Sequence, residues 1–203
     1  RWLCPSNPTD ELPAPLNKQF QPRGIVNLGD LRTLAEQHPE RLSELPIDSL
    51  QQYAARCEYM ATNLHVMSAF ESAKLATKLK WELADALLIT ALRARHSAQL
   101  MLAAQRYATS HNSMAALRLG LAAAAETRTK ALEIVRRQEA RYRYPVEQLA
   151  SRYKSHTSYD FGYLYTVHNL HFWQREEQQN LKGRHGPFFW NIYELGKIAG
   201  VRN

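Results

Sequence analysis

The sequence predicts an all-α fold: a long antiparallel helical hairpin packed with several shorter C-terminal helices, preceded by a proline-rich extended arm. Two observations carry that prediction. From Ile47 to Tyr144 there is no proline and a single glycine, Gly120, in a stretch rich in Ala, Leu, Gln, Arg, Lys and Glu. These are the residue types that lose least on entering a helix, and a run this long without a breaker reads as helix. Within it Leu50, Ala54, Cys57, Met60, Leu64, Met67, Glu71, Leu75 and Leu79 recur three or four apart, the spacing of one helix face.

Residues 1–29 hold five of the nine prolines, so this segment reads as an extended arm or linker. The rest, 30–203, reads as one helical domain. Asp30 is suited to N-cap a short helix through Leu31 and Leu34 that ends before Pro39, and a further turn covers Arg41 to Leu45. Asp48 is placed to cap the first long helix, predicted over 48–109. At 1.5 Å per residue the 58 residues from Asp48 to Gln105 would extend about 87 Å, which requires a kink or an antenna-like hairpin. The polar cluster Ala108-Thr109-Ser110-His111-Asn112-Ser113 marks the turn, with Ser113 as N-cap of the second long helix, 114–143. The run Ala122 to Ala125 in that helix lets a neighbour approach closely. Tyr144-Pro145 opens the aromatic-rich region of shorter helices, 145–195: Val146 to Tyr153, about Gly162 to Leu181, and Phe188 to Leu195. The Lys182-Gly183-Arg184-His185-Gly186-Pro187 turn separates the last two.

No apolar run reaches the roughly 20 residues of a membrane span; the longest, Leu83 to Leu92, is interrupted by Asp85. Arg1-Trp2-Leu3 reads as the continuation of an upstream polypeptide. The two cysteines, Cys4 and Cys57, read as a disulfide that ties down the arm, which points to an extracytoplasmic location, periplasmic or secreted; two separate thiols and a cytoplasmic location are the alternative.

The net charge of +7 is uneven, because residues 128–154 carry eight basic side chains against three acids. A basic stripe including Arg136, Arg137, Arg141 and Arg143 suits nucleic acid or an acidic partner. A solvated face laced by Glu133–Arg137 and Glu139–Arg143 pairs explains the same residues.

The familiar catalytic and cofactor signatures are missing: there is no glycine-rich phosphate loop, nucleophile elbow, H-E-x-x-H or paired C-x-x-C. No cofactor, metal ligand set or catalytic residue is therefore assigned. More than half of the Phe, Trp and Tyr fall between Tyr153 and Tyr193. Tyr159, Tyr163, Tyr165, His168, His171, Trp173 and Trp190 are the candidate binding residues, since flat rings with polar edges stack on sugars or anchor partners. The competing explanation is that these rings form the core beneath the hairpin. His168 and His171 share a helix face but lack a third metal ligand. His156 and Asp160 form a conceivable acid–base pair in a loop.

Three functional expectations follow. The first is a helical accessory or binding domain of a larger, exported polypeptide, whose aromatic C-terminal surface contacts carbohydrate, a neighbouring domain or another protein partner. The second is an intracellular nucleic-acid-binding module using the basic stripe. The third is a small hydrolase with a His/Asp/Tyr site.

Overall fold

The computed structural model describes residues 28–70, 74–141 and 161–183. Of these residues 92% are helical, with no strand among them, so the fold is all-α. A 3-10 turn at Leu28–Asp30 leads into α1 (Leu31–Gln37), and a second 3-10 stretch, Pro39–Glu44, precedes α2 (Ile47–Ala69). Then come α3 (Lys74–Thr109), α4 (Met114–Arg141) and α5 (Phe161–Lys182). The arm over 1–27 and the short helices expected over 146–153 and 188–195 lie outside the described residues.

The helix expected over 48–109 is two helices. α2 stops at Ala69, where the Phe70 N–H bonds back to the carbonyls of Met67 and Ser68. α3 then runs antiparallel along α2. Gln105 Nε2 donates to the Leu42 carbonyl just ahead of α2 (2.8 Å), Arg95 forks onto Glu58 (2.7 and 2.6 Å), and Trp81 Nε1 donates to Ser68 Oγ (2.8 Å). As one partner climbs the chain the other descends, the signature of a hairpin. Ser68, in the last turn of α2, lies at the break. The Ser68 hydroxyl donates back to the His65 carbonyl at 2.7 Å, a local bond that weakens helix continuation, and accepts the indole N–H from the returning helix.

Folding back moves the buried line on α2. The buried residues are Leu50, Ala54, Cys57, Ala61 and Ser68, whereas Met60 and Met67, expected in the core, are 44% and 55% exposed. Small side chains at 54, 57, 61 and 68 let α3 lie close, and the methionines one position back turn outward. The Cys57 thiol is free and buried, which does not support the Cys4–Cys57 bridge; Cys4 lies outside the described residues. Burial pushes the Cys57 thiol up from its ordinary value, against a hydrogen bond from Tyr53 that lowers it, so the sulfur stays protonated and unreactive.

α3 is the central helix. Ala91, Ala94, Ala98, Leu100, Met101, Ala103, Ala104 and Tyr107 are all buried, too many for one stripe, because α1, α2 and α4 each cover a different side. α4 packs on α3 through Leu117, Gly120, Leu121, Ala124, Thr127 and Ala131, again three or four apart. Ala124 falls in the expected close-approach run. The α3–α4 turn lies where the polar cluster indicated: His111 and Asn112 adopt positive φ (55° and 60°), and the Asn112 N–H returns to the Tyr107 carbonyl at 2.9 Å. Ser113 caps α4 through a long 3.5 Å bond to the Ala116 N–H.

Two expected caps differ. Asp30 stands at the N-cap of α1 but makes no side-chain cap bond, and α2 starts at Ile47 after Pro46, with Asp48 inside its first turn. A carboxylate there still suits the positive end of the helix dipole.

α5 runs antiparallel to α4, with Leu170 and Trp173 against Ala131 and Val135. Its C-terminal end meets α1: Asn180 accepts from the Arg32 N–H (2.9 Å) and donates to the Leu28 carbonyl (2.7 Å). Gly183, at φ 63°, closes the helix by returning its N–H to the Gln179 carbonyl at 2.9 Å, as expected for the glycine of that turn. Among the described residues no helix is long and apolar enough to cross a membrane.

Candidate functional site

Two features depart from an ordinary helical bundle: a charged network in its interior and an uncovered apolar face on its surface. The network forms because α3 and α5 are held apart and reach each other through long polar side chains. Along α5, Trp173, Glu176, Glu177 and Asn180 are spaced three, four and seven apart and face inward. Along α3, Arg93 and His96 are three apart and face them. Exposure is 1% at Arg93, 0% at His96 and 2% at Glu176.

Arg93 holds Glu176 with two parallel bonds, Nη1 to Oε2 at 2.7 Å and Nη2 to Oε1 at 2.8 Å. The same Nη1 approaches His96 Nδ1 at 3.2 Å. A guanidinium only donates, so Nδ1 is the unprotonated acceptor and His96 is the neutral Nε2–H tautomer. Its Nε2–H donates to Glu177 Oε1 at 2.9 Å, and Arg128 of α4 grips the same carboxylate at 2.9 and 3.1 Å. Trp173 roofs the cluster, its ring centroid 5.2 Å from both the His96 ring and the Arg93 guanidinium carbon. Two arginines, two glutamates and a neutral histidine sum to zero charge, which makes this degree of burial tolerable. A second ion pair, Asp85 of α3 with Arg137 of α4, lies farther along the α3–α4 seam, the aspartate wholly buried.

Burial holds His96 below its ordinary 6.5, partly offset by the bond to Glu177 and reinforced by the nearby Arg93 charge. Burial alone would raise Glu177, but the bonds from His96 and Arg128 outweigh it and keep the carboxyl below its ordinary 4.5. Both shifts have the same consequence for stability. The unfolded chain binds more protons than the folded one below each ordinary value, so stability is full above pH 6.5 and falls in two stages on acidification. The loss attributable to His96 has a slope of at most about 1.4 kcal/mol per pH unit. His96→Gln, which keeps a neutral hydrogen-bonding side chain, is expected to flatten the upper stage and leave the lower one. Urea titrations of both proteins at several pH values between about 7.5 and 3.5 read this directly. Equal acid sensitivity in the two would contradict it.

Chemically the network is closed. Each carboxylate is clasped by a guanidinium, and both histidine nitrogens are engaged. Among the described residues no three metal-ligating side chains converge. Its charged bonds join α3, α4 and α5 to one another.

The surface feature is different. Of the large apolar side chains most exposed on the described surface, Tyr59 (70%), Met60, Val66, Met67 and Phe70 (85%) lie within twelve residues of α2 and its end. Their positions advance by one, six, one and three residues, which places them on one helix face opposite Leu50, Ala54, Cys57 and Ala61. Scattered apolar residues on a surface are ordinary; a contiguous stripe on one helix is not.

The expected site residues divide as follows. Trp173 is in the core, 1% exposed, and offers no face to a ligand. Tyr163, Tyr165, His168 and His171 lie along α5, but their side chains are outside the described residues. Tyr159, Trp190, His156, Asp160 and Arg143 are also outside, as is the Arg141 side chain. In the basic stripe Arg136 is exposed, but Arg137 pairs with Asp85 instead of Glu133, and Arg128 turns inward to Glu177. Buried acids on neighbouring helices attract these arginines more strongly than a solvated glutamate does. The network went unassigned from the sequence, although Glu176 and Glu177 share a helix face with Trp173 at spacings of three and four, a legible sign of inward-facing charge.

No protein-family model, no curated protein and no solved structure matches the chain.

Proposed function

We propose that this is a helical binding domain that acts through protein–protein contact, with the exposed face of α2 as its contact surface. The observation that carries the reading is the stripe Tyr59, Met60, Val66, Met67 and Phe70, exposed together on one face of α2. The interior supports the same reading. An ion network that joins α3, α4 and α5 gives the bundle a stiff scaffold, and a helix held on a rigid support presents a defined surface at small entropic cost. Aromatic and methionine side chains are also the types enriched at the centres of protein interfaces.

Cysteine accessibility tests this. In a Cys4→Ser background, Met67→Cys is expected to react readily with a maleimide when the purified chain is dilute, and to be protected in intact cells. Leu119→Cys, on the exposed side of α4 and 69% exposed as leucine, is expected to react in both settings. Equal labelling of the two positions in cells would refute the proposal.

A further inference from the structure

α5 joins the bundle on different terms from the other helices. The larger apolar cluster of the core is built from the segment ahead of α2 and from α2, α3 and α4, and no described residue of α5 belongs to it. To the smaller cluster α5 adds Leu170 and Trp173, which meet Ala131 and Val135 of α4. Its other buried side chains among the described residues are polar: Glu176, Glu177 and Asn180. Asn180 and the Leu181 carbonyl bind at Leu28 and Arg32, and the two glutamates bind Arg93, His96 and Arg128. Removing one partner of such a set strands a buried charge. When the helix leaves as a whole, water reaches both arginines and both glutamates together, and the hydration each ion gave up in the closed state is restored.

His96 sits where that balance can be tipped. The charged groups that face it are Arg93 on its own helix, Glu176 and Glu177 on α5, and Arg128 on α4, which shares the Glu177 carboxylate. In the closed state Nε2–H donates to Glu177, so Nδ1 must accept from Arg93 Nη1 at 3.2 Å. A second proton, on Nδ1, would point an N–H at a guanidinium N–H. The nearest carboxylate oxygen to Nδ1, Glu176 Oε2, is 3.8 Å away and already accepts from Arg93. That proton would also leave the enclosed network, neutral until then, with one uncompensated positive charge.

We infer that residues 170–182 of α5 form an acid-released latch: when His96 takes up a proton, this segment leaves α3 and α4 while the bundle of α2, α3 and α4 stays folded. In the released state the imidazole is solvated on the surface of α3 and holds its proton without facing the guanidinium. Burial keeps the closed form below its ordinary 6.5, so the released form is the one that binds the extra proton, and its population grows as pH falls below 6.5. One proton per opening sets that growth at up to about tenfold per pH unit. Above pH 6.5 the group exerts no such pull, and the latch is shut.

Native-state hydrogen exchange of the full chain distinguishes this latch from unfolding of the whole molecule. Corrected for intrinsic rates, the amides of 173–180 are expected to exchange at least about tenfold faster at pH 7 than those of 54–61 in α2 and 100–107 in α3. Their protection is expected to fall between pH 6.5 and 5, by up to about tenfold per unit, with α2 and α3 remaining the better protected. In His96→Gln the α5 amides are expected to open separately still, but without that slope. Exchange of α5 in step with α2 and α3 at every pH would overturn the latch. So would α5 protection that ignores pH in the parent, or that falls as steeply in His96→Gln. The parent's own profile decides between a latch and whole-chain unfolding even if the variant does not fold.

Discussion

Glu176→Ala is expected to destabilise the fold by about 3–5 kcal/mol, because it leaves the Arg93 guanidinium buried without its counter-charge. Arg93 and Glu176 side chains are 2% and 3% exposed and joined by two bonds of normal length, so water cannot substitute for the missing carboxylate. The double variant Arg93→Met/Glu176→Met separates the pair's structural value from the cost of breaking it. Methionine fills comparable space without charge, and the double variant is expected to lie within about 2 kcal/mol of the parent, the residue being the lost donor to His96 Nδ1. Urea unfolding of the parent, both singles and the double gives the coupling energy directly. A double variant as unstable as Glu176→Ala would show that the cost comes from lost packing and not from an orphaned charge.

Gly120→Ala gives a test of sign. Helix propensity alone predicts a gain of about 1 kcal/mol, since alanine replaces glycine inside a long helix. The structure predicts the opposite. A Cβ at position 120 would sit 2.5 Å from Ala103 Cβ and 2.7 Å from Ala103 Cα, and the second of these is backbone of the central helix. α3 and α4 would have to separate, opening the alanine-lined seam on both sides, at a net cost of about 2 kcal/mol and more for Gly120→Val. Adding Ala103→Gly removes the side-chain clash but not the backbone one, so it is expected to restore the loss only in part. Thermal or urea unfolding checks the order of the three variants. Stabilisation by Gly120→Ala would mean the two helices are farther apart than described.

These two sites show what the sequence made legible. The helical class, the turn at His111–Asn112, the start of α4 after Ser113 and the glycine stop after α5 all follow from local chemistry: capping oxygens, positive φ and missing breakers. What escaped depends on which elements meet. The break between α2 and α3 has no proline or glycine; the Ser68 hydroxyl competes locally with the helix, and packing α2 along α3 favours the turn back. Periodicity assigned Met60 and Met67 to the core, since a large apolar residue outweighs a neighbouring alanine in any such count. The alanine and serine line at 54, 61 and 68 is buried instead, because small residues let α3 come close. Arg137 reads as solvated charge, and Arg93 draws no assignment at all, for a similar reason. Their partners lie 52 and 83 residues away, beyond any local pattern.

The contact face of α2 exists only because α2 folds back along α3, which exposes the Met60 and Met67 side and centres α3 in the bundle. The distance between spin labels at Ser49 and Arg106, both exposed near the open end of this hairpin, tests it most directly. Neighbouring antiparallel helices put the labels about 20 Å apart, given axes 8–10 Å apart plus the length of the label arms. A distance near 85 Å, the span of a continuous helix at 1.5 Å per residue, would contradict the hairpin and the contact surface that rests on it.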